Sequence, residues 1–243
     1  VSRWCTKWRL TVNVTKTNIV HFRPQRTSRT MYQFKFGGTN IPIVPQVKYL
    51  GMELSEFMDY SITTSALAES SSKALGTLIA KLFKAKGLVF ETYEHLFHNT
   101  VIPIMEYAAE IWGYKHYGKL ETITHRTIKA YLGVGKMCPT PVIMGDTGWN
   151  TAKTRRRSKI LTHWNKLVSM PHDRLVYKVF KQDTLLAMKG KNTWSKDVKR
   201  IMTLCEIPFN YELEPVDLDT VVSKLIILES EEWARDMTSM SKL

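Results

Sequence analysis

A change of structural period about a quarter of the way along sets the limits on what this 243-residue chain folds into. Up to about Leu54 the sequence alternates and turns, and from about Asp59 apolar residues recur at three- and four-residue spacings. Period two belongs to strands and period 3.6 to helices, so a small sheet-forming block hands over to a helical one. The hand-over is residues 41–54, IPIVPQVKYLGMEL. There Pro42 and Pro45 keep an apolar edge off the ladder before residues 47–54 form the last strand.

Before the join, residues 1–10 read as the last turns of a helix, with Trp4 and Trp8 on one face. Asn13 to Thr17 is rich in side chains that hydrogen-bond the local backbone and reads as a turn. Residues 17–22 read as a strand and 23–30 as a basic loop broken by Pro24. Tyr32, Phe34 and Phe36 alternate with polar residues, the pattern of a half-buried strand, and Gly37-Gly38-Thr39-Asn40 is a turn. After the join, helices are expected over residues 61–83, with one polar side, and over 88–112, interrupted at Ile102-Pro103. Further helices are expected over 119–131, from about 141, over 151–169, 175–188 and 194–205, and from about 217 to 240. The expected fold class is α+β, mostly α: a small antiparallel β-hairpin unit followed by a multi-helix bundle. The expected division is 1–55, 56–190 and 191–243.

Charge narrows the partners. The chain carries 35 Lys and Arg against 22 Asp and Glu, a net charge of +13. From Glu206 onward nine acids outnumber three bases, so the tail holds −6 and the body before it +19. A body this basic is expected to meet a polyanion, with nucleic acid the first candidate. The densest run is Lys153, Arg155, Arg156, Arg157 and Lys159, opposite a seam of Ile160, Trp164, Leu167 and Val168. That pattern predicts a docked helix showing a basic face to phosphates. The acidic C-terminal helix is either a solvent-facing closing element or a mask folded against the basic body. Cys5, Cys138 and Cys205 are far apart and odd in number, with no zinc spacing, which fits a reducing intracellular compartment, nuclear or cytoplasmic. No apolar run reaches the length of a membrane span, and no apolar signal segment follows Val1, so a membrane partner is not expected. A chain that opens on Val is expected to be a fragment, a processed product or an incomplete chain.

Several short pieces, weak singly, share an order and spacing. They are Trp8-Arg9-Leu10 with Val12-Asn13, Lys16-Thr17 before a strand ending in Phe22, the hairpin at Gly37-Gly38, and Val47-Lys48-Tyr49-Leu50-Gly51. Farther on come Val101-Ile102-Pro103-Ile104 with Tyr107 and Glu110-Ile111-Trp112-Gly113, Leu120-Glu121, and Tyr131-Leu132-Gly133-Val134. Pro139-Thr140-Pro141 and the Gly148 before the basic helix complete the series. In this order, over about 150 residues, the chain resembles the end of the palm and the thumb of reverse transcriptases of non-LTR (LINE-type) retrotransposons. The resemblance thins after about Asp183.

The resemblance implies a role in holding an RNA template and DNA primer, beside upstream fingers and palm of the same polymerase. Lys16 matches a lysine proposed near the incoming nucleotide, as general acid in the intact enzyme. Lys48, Tyr49 and Gly51 match the primer-grip strand pair. With Arg126, Lys129 and the basic run 153–159 they form the expected nucleic-acid contacts. The aromatic-Ala-Asp-Asp hairpin that holds two Mg²⁺ ions in this family is missing, since the sequence contains no Asp-Asp pair. No metal or other cofactor is expected in this chain. Mg²⁺ would belong to the intact polymerase with its ligands outside residues 1–243, and no polymerase activity is expected here alone.

Rival readings stay open at this point. A domesticated helical interaction protein would have the same helices and no nucleic-acid binding. Asp146-Thr147-Gly148 matches the aspartic-protease triplet, which needs a β framework. Glu91, Glu94, His95 and His98 share a helical face that suits a metal, without a second cluster to complete the site.

Overall fold

The computed structural model describes residues 2–240 and is mostly helical, with two small antiparallel hairpins near the N-terminus. The chain divides into two compact units, Val1–Ala66 and Leu67–Leu243. The expected boundary at 55–56 thus falls inside the first unit. The expected third segment, 191–243, belongs to the second.

In the first unit, α1 (Ser2–Lys7) is followed by a 3₁₀ turn at Val14–Lys16, capped as its sequence suggests: Asn13 Oδ1 accepts the Lys16 N–H at 3.2 Å. β1 (Lys35–Phe36) pairs with β2 (Thr39–Asn40) across the Gly37-Gly38 turn, and β3 (Gln46–Tyr49) pairs with β4 (Met52–Ser55). The strand expected at 17–22 is reduced to one parallel bridge, Ile19 to Ile43. Beyond that bridge the segment is tied to Glu56, whose carbonyl accepts the Arg23 N–H at 2.9 Å. Glu56, 8% exposed at its side chain, receives Arg29 Nε at 2.7 Å and Arg23 Nη2 at 3.0 Å, and Arg23 also lies over the Phe57 ring. The basic loop is thereby folded onto a buried carboxylate.

These arginine hydrogen bonds, Arg29 first, hold the Glu56 carboxyl below its ordinary pKa. A depressed carboxyl contributes stability that is present above its unfolded pKa and is lost as pH falls through the folded value. The first unit is therefore expected to loosen on acidification below the ordinary carboxylate range. Glu56→Gln should be less stable at neutral pH and should flatten that acid limb, as read by fluorescence of Trp4 and Trp8 across a pH titration.

α2 (Ser61–Lys84) begins in the first unit and continues into the second. Thr63 Oγ1 both accepts the Glu53 N–H and donates to the Glu53 carbonyl, each at 2.9 Å, which fixes the first turn of α2 to β4.

In the second unit the long helix expected over 88–112 is three pieces: α3 (Phe90–Thr100), α4 (Ile102–Met105) and α5 (Ala109–Trp112). Pro103 sits in the first turn of α4, where its missing N–H costs least. The sharper break is Ala108, at φ 52°, a left-handed conformation that costs an L-residue about 1–2 kcal/mol. It turns Ala109 and Trp112 fully inward, and the Trp112 indole N–H donates to the Tyr107 carbonyl at 2.9 Å. Gly113 follows because a Cβ there would lie 2.9 Å from the Cβ of Arg156.

The remaining helices match their periodicity closely. They are α6 (Gly118–Leu132), α7 (Thr140–Thr147), α8 (Ala152–Val168), α9 (Leu175–Met188), α10 (Trp194–Leu204) and α11 (Leu218–Met240). One part of the core is aromatic: Trp149 stacks on Phe97 at 5.1 Å, and Tyr93 on Tyr131 at the same distance. The Tyr93 hydroxyl donates to the Thr127 carbonyl, and burial pushes its pKa up to about 12. The other part gathers Ile160, Leu161 and Trp164 of α8 with Phe180, Val198, Ile201, Val221 and Leu225. Residues beyond 190 are thus built into the same core as the basic helix, with the seam of Trp164 and Leu167 inward as expected.

Candidate nucleic-acid interface

The β3–β4 hairpin carries the first expected site. Its two-residue turn is Leu50-Gly51, both at positive φ (46° and 85°), the geometry of a type I′ turn. Gly51 supplies that conformation without cost, whereas a branched Leu50 is strained there. Tyr49 and Leu50 are exposed at the tip, and Lys48 is exposed in register with Glu53 on the opposite strand. Lys16 is exposed on its 3₁₀ turn.

The basic helix departs from expectation. Arg156 has no exposed side-chain surface; its Nη2 meets Glu121 Oε1 at 3.1 Å, and its guanidinium lies 5.9 Å from the ring centroids of both Trp112 and Tyr117. Burial lowers its pKa, opposed by Glu121 and Glu106. Arg155 donates to fully buried Glu106 at 2.8 Å and to the Asn150 carbonyl at 2.6 Å, and Lys159 reaches the other oxygen of Glu106 at 3.0 Å. Lys153 pairs with Glu232 of α11 at 3.0 Å, while burial lowers the pKa of Arg157. The expectation of a basic face offered to phosphates is corrected for Arg156, which is a core residue; Arg155, Lys153 and Lys159 pair with carboxylates of other helices, and Lys159 keeps 42% of its side chain exposed.

The acidic C-terminal helix explains part of this. Glu229 accepts the Thr151 N–H at 2.5 Å and faces the Thr151 hydroxyl, while Glu121 accepts the Ala152 N–H at 3.1 Å. Two carboxylates therefore sit at the N-terminus of α8, where the helix dipole and its unpaired N–H groups favour negative charge. α11 covers the start of the basic helix as a structural cap.

A different surface presents its cations outward. On α2, Ser71, Leu75, Leu78 and Leu82 face inward, which turns Lys73, Thr77, Lys81 and Lys84 to the opposite, exposed side. Between them stand Gly76 and Ala80, small enough to let a backbone come close. Lys73 has an ion pair to Glu69 at 2.8 Å with both groups well exposed, a contact too weak to commit it. Arg126 of α6 donates to Ser72 Oγ at 2.8 Å, and Lys119 and Arg126 are exposed on that helix. Lys129 reaches the Lys136 carbonyl at 2.7 Å at the far end of α6. Of the two α6 residues read from the sequence as contacts, Arg126 is exposed and Lys129 is half-buried. The α2 lysines at 73, 81 and 84 were not among the residues read from the sequence, although they stand in the polar side of the helix.

The chemical rivals lose their frames. Asp146 lies within α7 with Gly148 as its left-handed C-cap, so the protease triplet has no β framework. Glu91, Glu94, His95 and His98 lie on one side of α3, and among the described residues no group of three or more such side chains is placed to hold a metal. A cleft of about 590 Å³ between α6, α7 and α11 is lined by Trp149, Trp233 and carboxylates. Three of those carboxylates, Glu121, Glu229 and Glu232, already serve α8. Among the described residues no helix is long and apolar enough to cross a membrane. Comparison of the chain with protein-family models, with curated proteins and with solved structures finds no match.

Proposed function

We propose that this chain binds and positions a nucleic-acid duplex as the palm-end and thumb portion of a non-LTR (LINE-type) reverse transcriptase, with the α2–α6 surface of its second unit as the phosphate contact. The observation that carries the reading is the sorting of the cations. Arg155 and Arg156 of the arginine-rich helix meet buried carboxylates, while Lys73, Lys81 and Lys84 of α2 and Arg126 of α6 are exposed. Contacts of this kind fix a duplex by its backbone and read little sequence. The Lys48-Tyr49-Leu50-Gly51 tip supports the same reading from the first unit: an exposed lysine and tyrosine at the end of β3, beside a two-residue turn, suit a sugar–phosphate end. The RNA template, DNA primer and upstream polymerase segments are the proposed partners. The Mg²⁺ of the intact enzyme would be held by residues outside this chain.

The reading is tested by titrating a labelled RNA–DNA hybrid with the full chain at several salt concentrations. Four to six phosphate contacts give a log–log slope of roughly −4 to −5. A slope near zero would contradict it and leave an interaction protein without nucleic-acid binding.

A further inference from the structure

α9 is apolar on two opposite sides. Tyr177, Phe180, Thr184 and Ala187 are buried on one. On the other, Leu175, Val179, Gln182 and Leu186 follow one another at steps of four, three and four. That spacing is the a/d seam of a helix that pairs with another helix. Leu175 is 75% exposed and Val179 61%, and Leu185 and Met188 extend the exposed apolar surface at the C-terminal end. Gln182 interrupts the seam and Leu186 is half-buried, while Leu175, Val176 and Val179 leave an exposed apolar surface of the kind that marks a contact site.

The flank of the seam chooses among occupants. Lys178, Lys181 and Lys189 line one edge and are exposed, with Arg174 just before the helix. On the opposite edge the one acid, Asp183, is taken up by the Ser195 N–H at 2.8 Å. A second copy is a poor fit: antiparallel pairing sets lysine against lysine, and each chain carries +13. Phosphates gain nothing from a Leu-Val seam. We infer that the outer face of α9 docks an amphipathic helix of a partner protein, with an apolar stripe over Leu175, Val179 and Leu186 and glutamates or aspartates facing the lysine edge. The inference does not depend on nucleic-acid binding, since α9 shares no residue with the α2–α6 surface.

The test uses the full chain and a labelled three-heptad helical peptide with Leu at a and d, made in two versions, Glu or Lys at e and g. Fluorescence anisotropy should show the Glu peptide binding at least about tenfold more tightly than the Lys peptide. Val179→Asp, at an exposed position that leaves the thermal melt unchanged, should abolish that binding. Lys178→Glu with Lys181→Glu and Lys189→Glu should reverse the preference toward the Lys peptide. Equal binding of the two peptides, or binding that survives Val179→Asp, overturns the inference. So does the absence of peptide binding alongside Val179-dependent self-association in sedimentation, or alongside Val179-dependent adsorption to phosphatidylserine vesicles.

Discussion

Arg156→Met is expected to destabilise the second unit by about 3–5 kcal/mol, the usual cost of removing one partner from a buried ion pair. The loss has two sources. Glu121, itself buried, is left as an uncompensated carboxylate, and the rings of Trp112 and Tyr117 lose the cation between them. Each such cation–aromatic contact contributes about 0.5–2 kcal/mol when desolvated. A double variant, Arg156→Met with Glu121→Leu, should recover much of the loss, because an apolar pair of similar volume replaces two buried charges. Recovery stays partial, since Glu121 also receives the Ala152 N–H at the start of α8. Urea unfolding followed by tryptophan fluorescence measures all three proteins. A change below about 1 kcal/mol for the single variant would show that the guanidinium is solvated and that α8 is a surface helix after all.

The second large effect concerns binding. Changing Lys73, Lys81, Lys84 and Arg126 together to Ala should lower affinity for an RNA–DNA hybrid by well over about tenfold at moderate salt. The same change should reduce the salt slope by about 3–4, close to one for each phosphate contact removed. Stability should change little, since the four side chains are exposed and only Arg126 has a side-chain partner across helices, Ser72. Double-filter binding against salt, with thermal melts of both proteins, checks the two halves together. An unchanged slope with an unchanged melt would remove α2 and α6 from the interface.

Both predictions turn on what a sequence displays and what it hides. The 3.6-residue period displayed α2, α6, α8, α9, α10 and α11 to within about two residues, because apolar spacing is a local property that burial then enforces. It did not display the break at Ala108, where an ordinary alanine takes a left-handed conformation to bury Trp112. A strand was over-read at 17–22, and the loop after it is organised by a carboxylate that local pattern does not show: Glu56 lies 33 residues from Arg23 and 27 from Arg29. Charge misled for the same reason. A run of like charge is visible in the sequence, but the partners of Lys153, Arg155 and Arg156 lie 79, 49 and 35 residues away. A basic run on a helix whose other face is core is therefore ambiguous until its carboxylates are located. The hairpin tip was not displayed either: residues 47–54 read as one strand, whereas Leu50-Gly51 turns the chain between β3 and β4 with Leu50 in a left-handed conformation that an L-residue seldom takes.

The central claim is that the cations of α8 hold the fold while those of α2 and α6 meet the duplex. One titration separates them: salt-dependent binding of the same RNA–DNA hybrid to the Lys73, Lys81, Lys84 and Arg126→Ala variant and to Lys153→Ala with Lys159→Ala. The second variant removes α8 cations that retain some exposure, 24% and 42%, and leaves Arg155 on Glu106. The claim predicts a slope reduced by about 3–4 for the α2–α6 variant and an unchanged slope for the α8 variant. The opposite pattern, an unchanged α2–α6 variant with a shallower slope for the α8 variant, would contradict it.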